Sequence, residues 1–327
     1  MPQPSYAYAC ARISALEKRL FDETALRRMA ESSLQDAMRL LLDSRYGFNA
    51  EASEADIEKL IGNELTEAAR EVRELSPKPE MTDLFLLKND IANLKQLIKA
   101  RLVAQDGIDW QPGGIFGREL LEYCVSNSDY RQLPPELCEA LNRLEKRLEL
   151  SVEPQNISIS LDAAYLDYAM KKAGKNPFLL HYFKAEADFD NLLTFLRMRA
   201  MGAGLEQFHD VMLPEGGIWH KDLLNAYELS FDALNRFMRE SVCRDAILEG
   251  LNQMQQTGSI GEVERARDNY LLKLLKDRKH DRESIFPIIG YYIAKEREAK
   301  AIRLVITAKR NGLSEEVIFG RLVNLYG

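Results

Sequence analysis

The chain repeats itself, and this constrains its fold more than any single residue does. Gly113-Gly-Ile-Phe-Gly-Arg-Glu-Leu-Leu121 returns as Gly216-Gly-Ile-Trp-His-Lys-Asp-Leu-Leu224, with five of nine positions identical and three conservatively exchanged. A matching segment stands upstream of each block: Asp90-Ile-Ala-Asn-Leu-Lys-Gln-Leu-Ile-Lys-Ala-Arg101 and Asp188-Phe-Asp-Asn-Leu-Leu-Thr-Phe-Leu-Arg-Met-Arg199. The segments are 98 residues apart and the blocks 103, so one short loop insertion reconciles them. A fainter third copy aligns Glu298, Ile302, Val305 and Lys309 with Asp90, Leu94, Leu97 and Arg101, and has no Gly-Gly-Ile block. Recurrence at this spacing predicts three similar units, with boundaries read at 1–130, 131–235 and 236–327. No Pro/Gly/Ser-rich linker marks either boundary, so the units are expected to pack closely.

The units read as helical. Ile13, Leu16 and Leu20 fit one stripe, Leu34, Ala37, Met38 and Leu41 a second, and Leu137, Leu141, Leu144 and Leu148 a third. Thr82 is read as preceding the helix through Leu94, after the breaker Pro77-Lys78-Pro79, and Ser314 before Glu315 and Glu316 as opening the last helix. Alternation with period two occurs once, in Ile157-Ser-Ile-Ser-Leu161, which is too short for a sheet and reads as a connecting segment. The expected fold class is all-α.

Composition excludes several kinds of protein. At 46% hydrophobic and 29% charged residues the chain can bury a real core. Its net charge of −7 argues against a nucleic-acid binder that relies on bulk positive charge. The longest apolar run, Ile285 to Ala294, is broken by Pro287 and Gly290 and is too short to span a bilayer. Met1-Pro-Gln-Pro-Ser-Tyr6 does not read as a signal peptide, so a cytoplasmic protein without a membrane span is expected. Cys10, Cys124, Cys138 and Cys243 are far apart and form no CxxC pair, and read as buried, inert thiols.

Catalytic constellations are missing from the pattern. His181, His209, His220 and His280 are scattered without metal-ligand spacing, and His181 reads as a hydrogen-bonded core or interface residue. An all-α metal-dependent enzyme would need an aspartate cluster. Asp188 and Asp190 point to opposite sides of a helix, while Asp277 and Asp281 lie in a mixed-charge run that reads as a solvated face. No GxSxG, Walker A or Rossmann signature occurs. The Gly-Gly-Ile blocks follow no strand and lack a GK[ST] ending, so they read as turns anchoring Phe116 and Trp219 in the core.

On the recurring helix an acid, two apolar residues and a base share a face, with the acid in the first turn and the base in the last. Two readings stay open. The polar ends are structural, or three equivalent helices surround a cavity and present Arg101, Arg199 and Lys309 to a shared partner. From residues alone the protein is a helical scaffold or adaptor.

Several segments resemble the C subunit of the archaeal and bacterial A/V-type ATPases, the family that includes the eukaryotic V-ATPase d subunit. They are Tyr6-Ala-Tyr-Ala-Cys-Ala-Arg12, Leu42-Asp-Ser-Arg-Tyr-Gly47, Lys88-Asn-Asp-Ile-Ala-Asn-Leu-Lys95, and Tyr291-Tyr-Ile-Ala-Lys-Glu-Arg-Glu298 leading into Ile302-Arg303. The resemblance implies three all-α units in a pseudo-threefold, funnel-like arrangement. It also implies a non-catalytic central-stalk subunit that uses no cofactor and joins the shaft to the membrane rotor-ring proteolipid. Such a subunit is cytoplasmic and peripheral to the membrane, and couples ATP turnover to proton or sodium transport. On this reading Arg101, Arg199, Arg303 and Lys309 line the surface that receives the shaft.

Overall fold

The computed structural model describes residues 4–47, 56–105, 107–151, 153–229, 234, 236, 238 and 241–322. Among these the secondary structure is helical throughout, as the apolar spacing predicts. In chain order the helices are α1 (Tyr6–Glu17), α2 (Glu23–Glu31), α3 (Leu34–Leu42), a short 3-10 turn (Arg45–Gly47), α4 (Ile57–Leu75), α5 (Pro79–Val103), α6 (Arg118–Asn127) and α7 (Pro135–Leu150). They continue as α8 (Pro154–Ala173), α9 (Pro177–Ala200), α10 (Leu205–Asp210), α11 (His220–Ala226), α12 (Arg244–Thr257), α13 (Gly261–Lys276), α14 (Phe286–Arg310) and α15 (Glu315–Arg321).

Local chemistry sets their ends. Ser5, Asp22, Ser33, Asp56 and Asn176 cap α1, α2, α3, α4 and α9, each side chain accepting a backbone N–H of the first turn. Proline in the first turn opens α7, α8, α9 and α14, where its fixed φ suits the helix and its missing N–H has no partner to lose. Ser314 is the N-cap of α15, as the sequence predicts.

Three sequence expectations are corrected. α5 starts at Pro79, not after Thr82, which is buried inside it and donates to Ser76 Oγ at 2.7 Å. Ile157-Ser-Ile-Ser-Leu161 is no connection but part of α8. Ile157, Leu161 and Tyr165 are buried at intervals of four, so the short alternation coincided with a helical stripe. Trp219 is 53% exposed and anchors nothing in the core, whereas Ile218 beside it is buried.

The chain divides into two compact units, Met1–Asn89 with Gln111–Ile115 and Leu275–Gly327, and Asp90–Trp110 with Phe116–Leu274. Each is built around one long helix. In the first unit α14 is buried on nearly every side, which explains the apolar run Ile285–Ala294. One cluster sets Leu26, Ala37, Leu41 and Ile61 against Ile302, Val305 and Ile306. Another sets Ala9, Ile13, Ala68 and Val72 against Ile288, Tyr291 and Tyr292. In the second unit α9 takes that place, with Phe183, Phe189, Leu192 and Phe195 fully buried. Burying such a side chain contributes about 2 kcal/mol, so helices buried all round need no amphipathic stripe.

Candidate functional site

The recurring helix segments lie in α5, α9 and α14, and their acids share one property. Asp90, Asp188 and Glu298 are each at most 1% exposed. A buried carboxylate must be compensated, and each of the three accepts at least one backbone N–H from a segment outside its own helix. Asp188 Oδ1 accepts the N–H groups of Gly217 and Ile218 at 2.8 and 2.9 Å, and its Oδ2 accepts the Ser241 hydroxyl at 2.7 Å. Asp90 Oδ1 accepts the N–H of Phe116 at 3.2 Å. Glu298 accepts the N–H of Phe21 at 2.6 Å, the Tyr46 hydroxyl at 2.7 Å and the Lys295 ammonium at 2.7 Å. In the second repeat the recurring acid therefore holds the Gly-Gly-Ile loop, and in the first it holds the residue that follows Gly-Gly-Ile, Phe116.

The second repeat adds an amide to this clamp. Asn191, one turn beyond Asp188, accepts the N–H of Leu213 at 2.8 Å and donates to the carbonyls of Leu213 and Pro214. Asn93 stands at the matching place in the first repeat and is also buried. The glycines serve close approach more than left-handed geometry. Gly113 alone among the four has a positive φ, +81°. At Gly216 an added Cβ would collide with the Lys184 carbonyl and Asp188 Oδ1. The clamped loop turns Trp219 outward, with the Lys221 ammonium 4.0 Å over its ring. Arg118, the repeat equivalent of Lys221, lies 5.6 Å over Trp110.

The recurring bases sit at the far ends of the same helices. Arg101 donates to the Val125 carbonyl at 2.7 Å, to Ser128 Oγ at 2.9 Å and to both oxygens of Glu145. Lys309 donates to the carbonyl of Ser32, the C-cap of α2. Arg199 is exposed, its guanidinium 5.5 Å over the Phe195 ring. Arg303 forms a bidentate pair with Glu58 at 2.7–2.9 Å on the surface. Arg101 and Arg199 belong to one compact unit, Arg303 and Lys309 to the other. Three of the four bases brace their own fold, a role that sequence spacing did not separate from a partner surface.

One buried polar cluster escaped sequence reasoning. Lys295, 1% exposed, pairs with Glu64 at 3.0 Å and Glu298 at 2.7 Å, and Arg45 pairs with Glu64 at 3.0 Å and Glu71 at 2.9 Å. Burial and the Glu298 carboxylate push the Tyr46 phenol well above its ordinary value. Glu64 and Arg45 come from segments far from α14, so no local pattern signals the cluster. In the other unit His181 Nε2 lies 2.8 Å from the Tyr270 hydroxyl, which donates to the Val242 carbonyl at 2.9 Å. Cys243 is buried, and burial pushes its thiol up to about 12, far from a nucleophile's range. Among the described residues no three His, Cys, Asp or Glu side chains converge as metal ligands, and no helix is long and apolar enough to cross a membrane.

The fold thus defines an all-α, internally repeated protein whose buried polar groups serve its own scaffold. The family profile described as ATP synthase (C/AC39) subunit matches residues 9–321, and the chain belongs to that family. It is 27% identical over 349 residues to the A-type ATP synthase C subunit of Methanocaldococcus jannaschii, covering 98% of this chain and 86% of that one. It is 22% identical over 324 residues to the V-type sodium ATPase C subunit of Enterococcus hirae, covering 96% and 97%. To the A-type ATP synthase C subunit of Haloquadratum walsbyi it is 26% identical over 339 residues, covering 95% and 96%.

Proposed function

We propose that the protein is a non-catalytic central-stalk subunit of a rotary ATPase, joining the shaft to the membrane rotor ring. It works at the cytoplasmic face of the membrane, held there through the complex. The observation that carries this reading is the family match over residues 9–321, in a chain that spans 86% or more of the relatives named above. The internal chemistry agrees with it: the recurring acids hold backbone, and a part that transmits torque needs stiffness more than reactivity.

The three sequence units, 1–130, 131–235 and 236–327, are proposed to stand about a pseudo-threefold axis as a funnel that takes the end of the shaft. Arg101, Arg199, Arg303 and Lys309 are proposed to line the receiving surface. Arg199 is the most direct test because it is exposed and its reversal leaves no buried acid behind. Arg199→Glu combined with Arg303→Glu should weaken binding to purified shaft subunits about tenfold, read by titration calorimetry, with helicity unchanged. Unchanged affinity would assign these bases to the fold alone.

A further inference from the structure

The third repeat has no Gly-Gly-Ile block, yet its acid is as buried as the other two. What satisfies it comes from the opposite end of the chain. Glu298 accepts the N–H of Phe21, in the link between α1 and α2, where Asp90 and Asp188 accept N–H groups of the loops that follow their own helices. The recurring base repeats the correspondence. Arg101 donates to the carbonyl of Val125 near the end of α6, the helix after the first Gly-Gly-Ile block. Lys309 donates to the carbonyl of Ser32 at the end of α2, the helix after the Phe21 link. In the second repeat Arg199 makes no such donation among the described residues; it is exposed, with its guanidinium 5.5 Å over the Phe195 ring.

In the first and third repeats both ends of the recurring helix thus meet the same two features, backbone N–H groups of a link and the C-terminal end of the short helix that follows; in the second repeat the acid end does. We propose that residues 18–32 are the missing loop and helix of the third repeat, supplied from the N-terminus, so that the chain closes on itself through a strap running from Glu298 to Lys309. The apolar contacts agree, since Leu26, Met29 and Ala30 of α2 share a core with Ile302, Val305 and Ile306 of α14. The link and helix at 18–32 then complete the last repeat although they stand early in the chain. Each distance used lies inside a single compact unit, and the inference does not depend on the rotary reading.

The test cuts the chain between strap and body. A protease site is inserted within 48–55, the full-length protein is cleaved, and the two pieces are followed by size-exclusion chromatography without denaturant. The N-terminal piece should stay with the remainder. It should leave at least tenfold faster from Glu298→Ala, and at the unaltered rate from Asp188→Ala, which breaks the clamp of another repeat. Where Glu298→Ala fails to fold, Glu298→Gln and Tyr46→Phe are cleaved in the same way and should raise the rate about threefold. Release of the piece from the unsubstituted chain, or equal rates with and without the Glu298 substitutions, would overturn the proposal.

Discussion

Lys295 and Glu298 stand three residues apart on α14 and form an ion pair at 2.7 Å, each only 1% exposed. The ammonium also meets Glu64 at 3.0 Å and lies 4.7 Å over the Tyr46 ring, so one cation serves two buried carboxylates. Removing it leaves charge in a medium that does not solvate charge. Lys295→Met should therefore destabilise the protein by about 3–5 kcal/mol, measured by urea unfolding. The double variant Lys295→Met/Glu298→Gln should recover part of the loss, because Glu64 keeps Arg45 at 3.0 Å and the charge left without its cation, Glu298, is gone. A double variant no more stable than the single one would mean that the pair is not coupled.

The loop clamp makes a more local prediction. Asp188→Ala strips acceptors from the N–H groups of Gly217 and Ile218 and from Ser241 Oγ. Leaving such groups buried without partners costs about 3 kcal/mol. Amide exchange should rise over residues 213–220 and stay unchanged in α14. Asp188→Asn keeps an acceptor oxygen and should lose less than half as much.

Two glycines with the same backbone geometry should respond differently to alanine. Gly107 (φ +77°) faces open space, so Gly107→Ala meets only the left-handed backbone penalty of about 1 kcal/mol. Gly113 (φ +81°) would place its Cβ 2.6 Å from Tyr292 Oη and 3.3 Å from the Leu65 carbonyl. Gly113→Ala should therefore cost about 1–3 kcal/mol more than Gly107→Ala, compared by thermal unfolding.

His181 gives a pH signature. Burial lowers its pKa below the ordinary 6.5, with the Asp188 carboxylate opposing in part. The folded state thus holds fewer protons than the unfolded chain just below pH 6.5. The stabilisation is complete above that value and is lost as pH falls through 6.5 towards the lower folded pKa. The urea midpoint should drop between pH 7.5 and 5.5, and His181→Gln should flatten that drop. An NMR titration of the His181 ring should show Asp188→Asn moving its pKa further down.

The residues explain how much of this was legible beforehand. Helical class and the repeats could be read because apolar spacing and the Gly-Gly-Ile block are local patterns. The burial of Asp90, Asp188 and Glu298 could have been suspected from an acid recurring among apolar neighbours. Its purpose could not, because the Phe21 N–H that meets Glu298 lies 277 positions away. Trp219 misled because an aromatic beside a buried isoleucine resembles an anchor, and only the loop's path decides which of the two turns inward. The Lys295 cluster was invisible because its members Arg45, Glu64 and Glu71 look like surface charges on a helical protein.

The central claim is that this chain links shaft to ring, and the most direct measurement is a pull-down of the tagged protein from native membranes holding an intact ATPase. The shaft subunits should be recovered together with the rotor-ring proteolipid. The Arg199→Glu/Arg303→Glu variant should lose the shaft subunits while the proteolipid stays. Recovery of neither from the unsubstituted protein would contradict the claim.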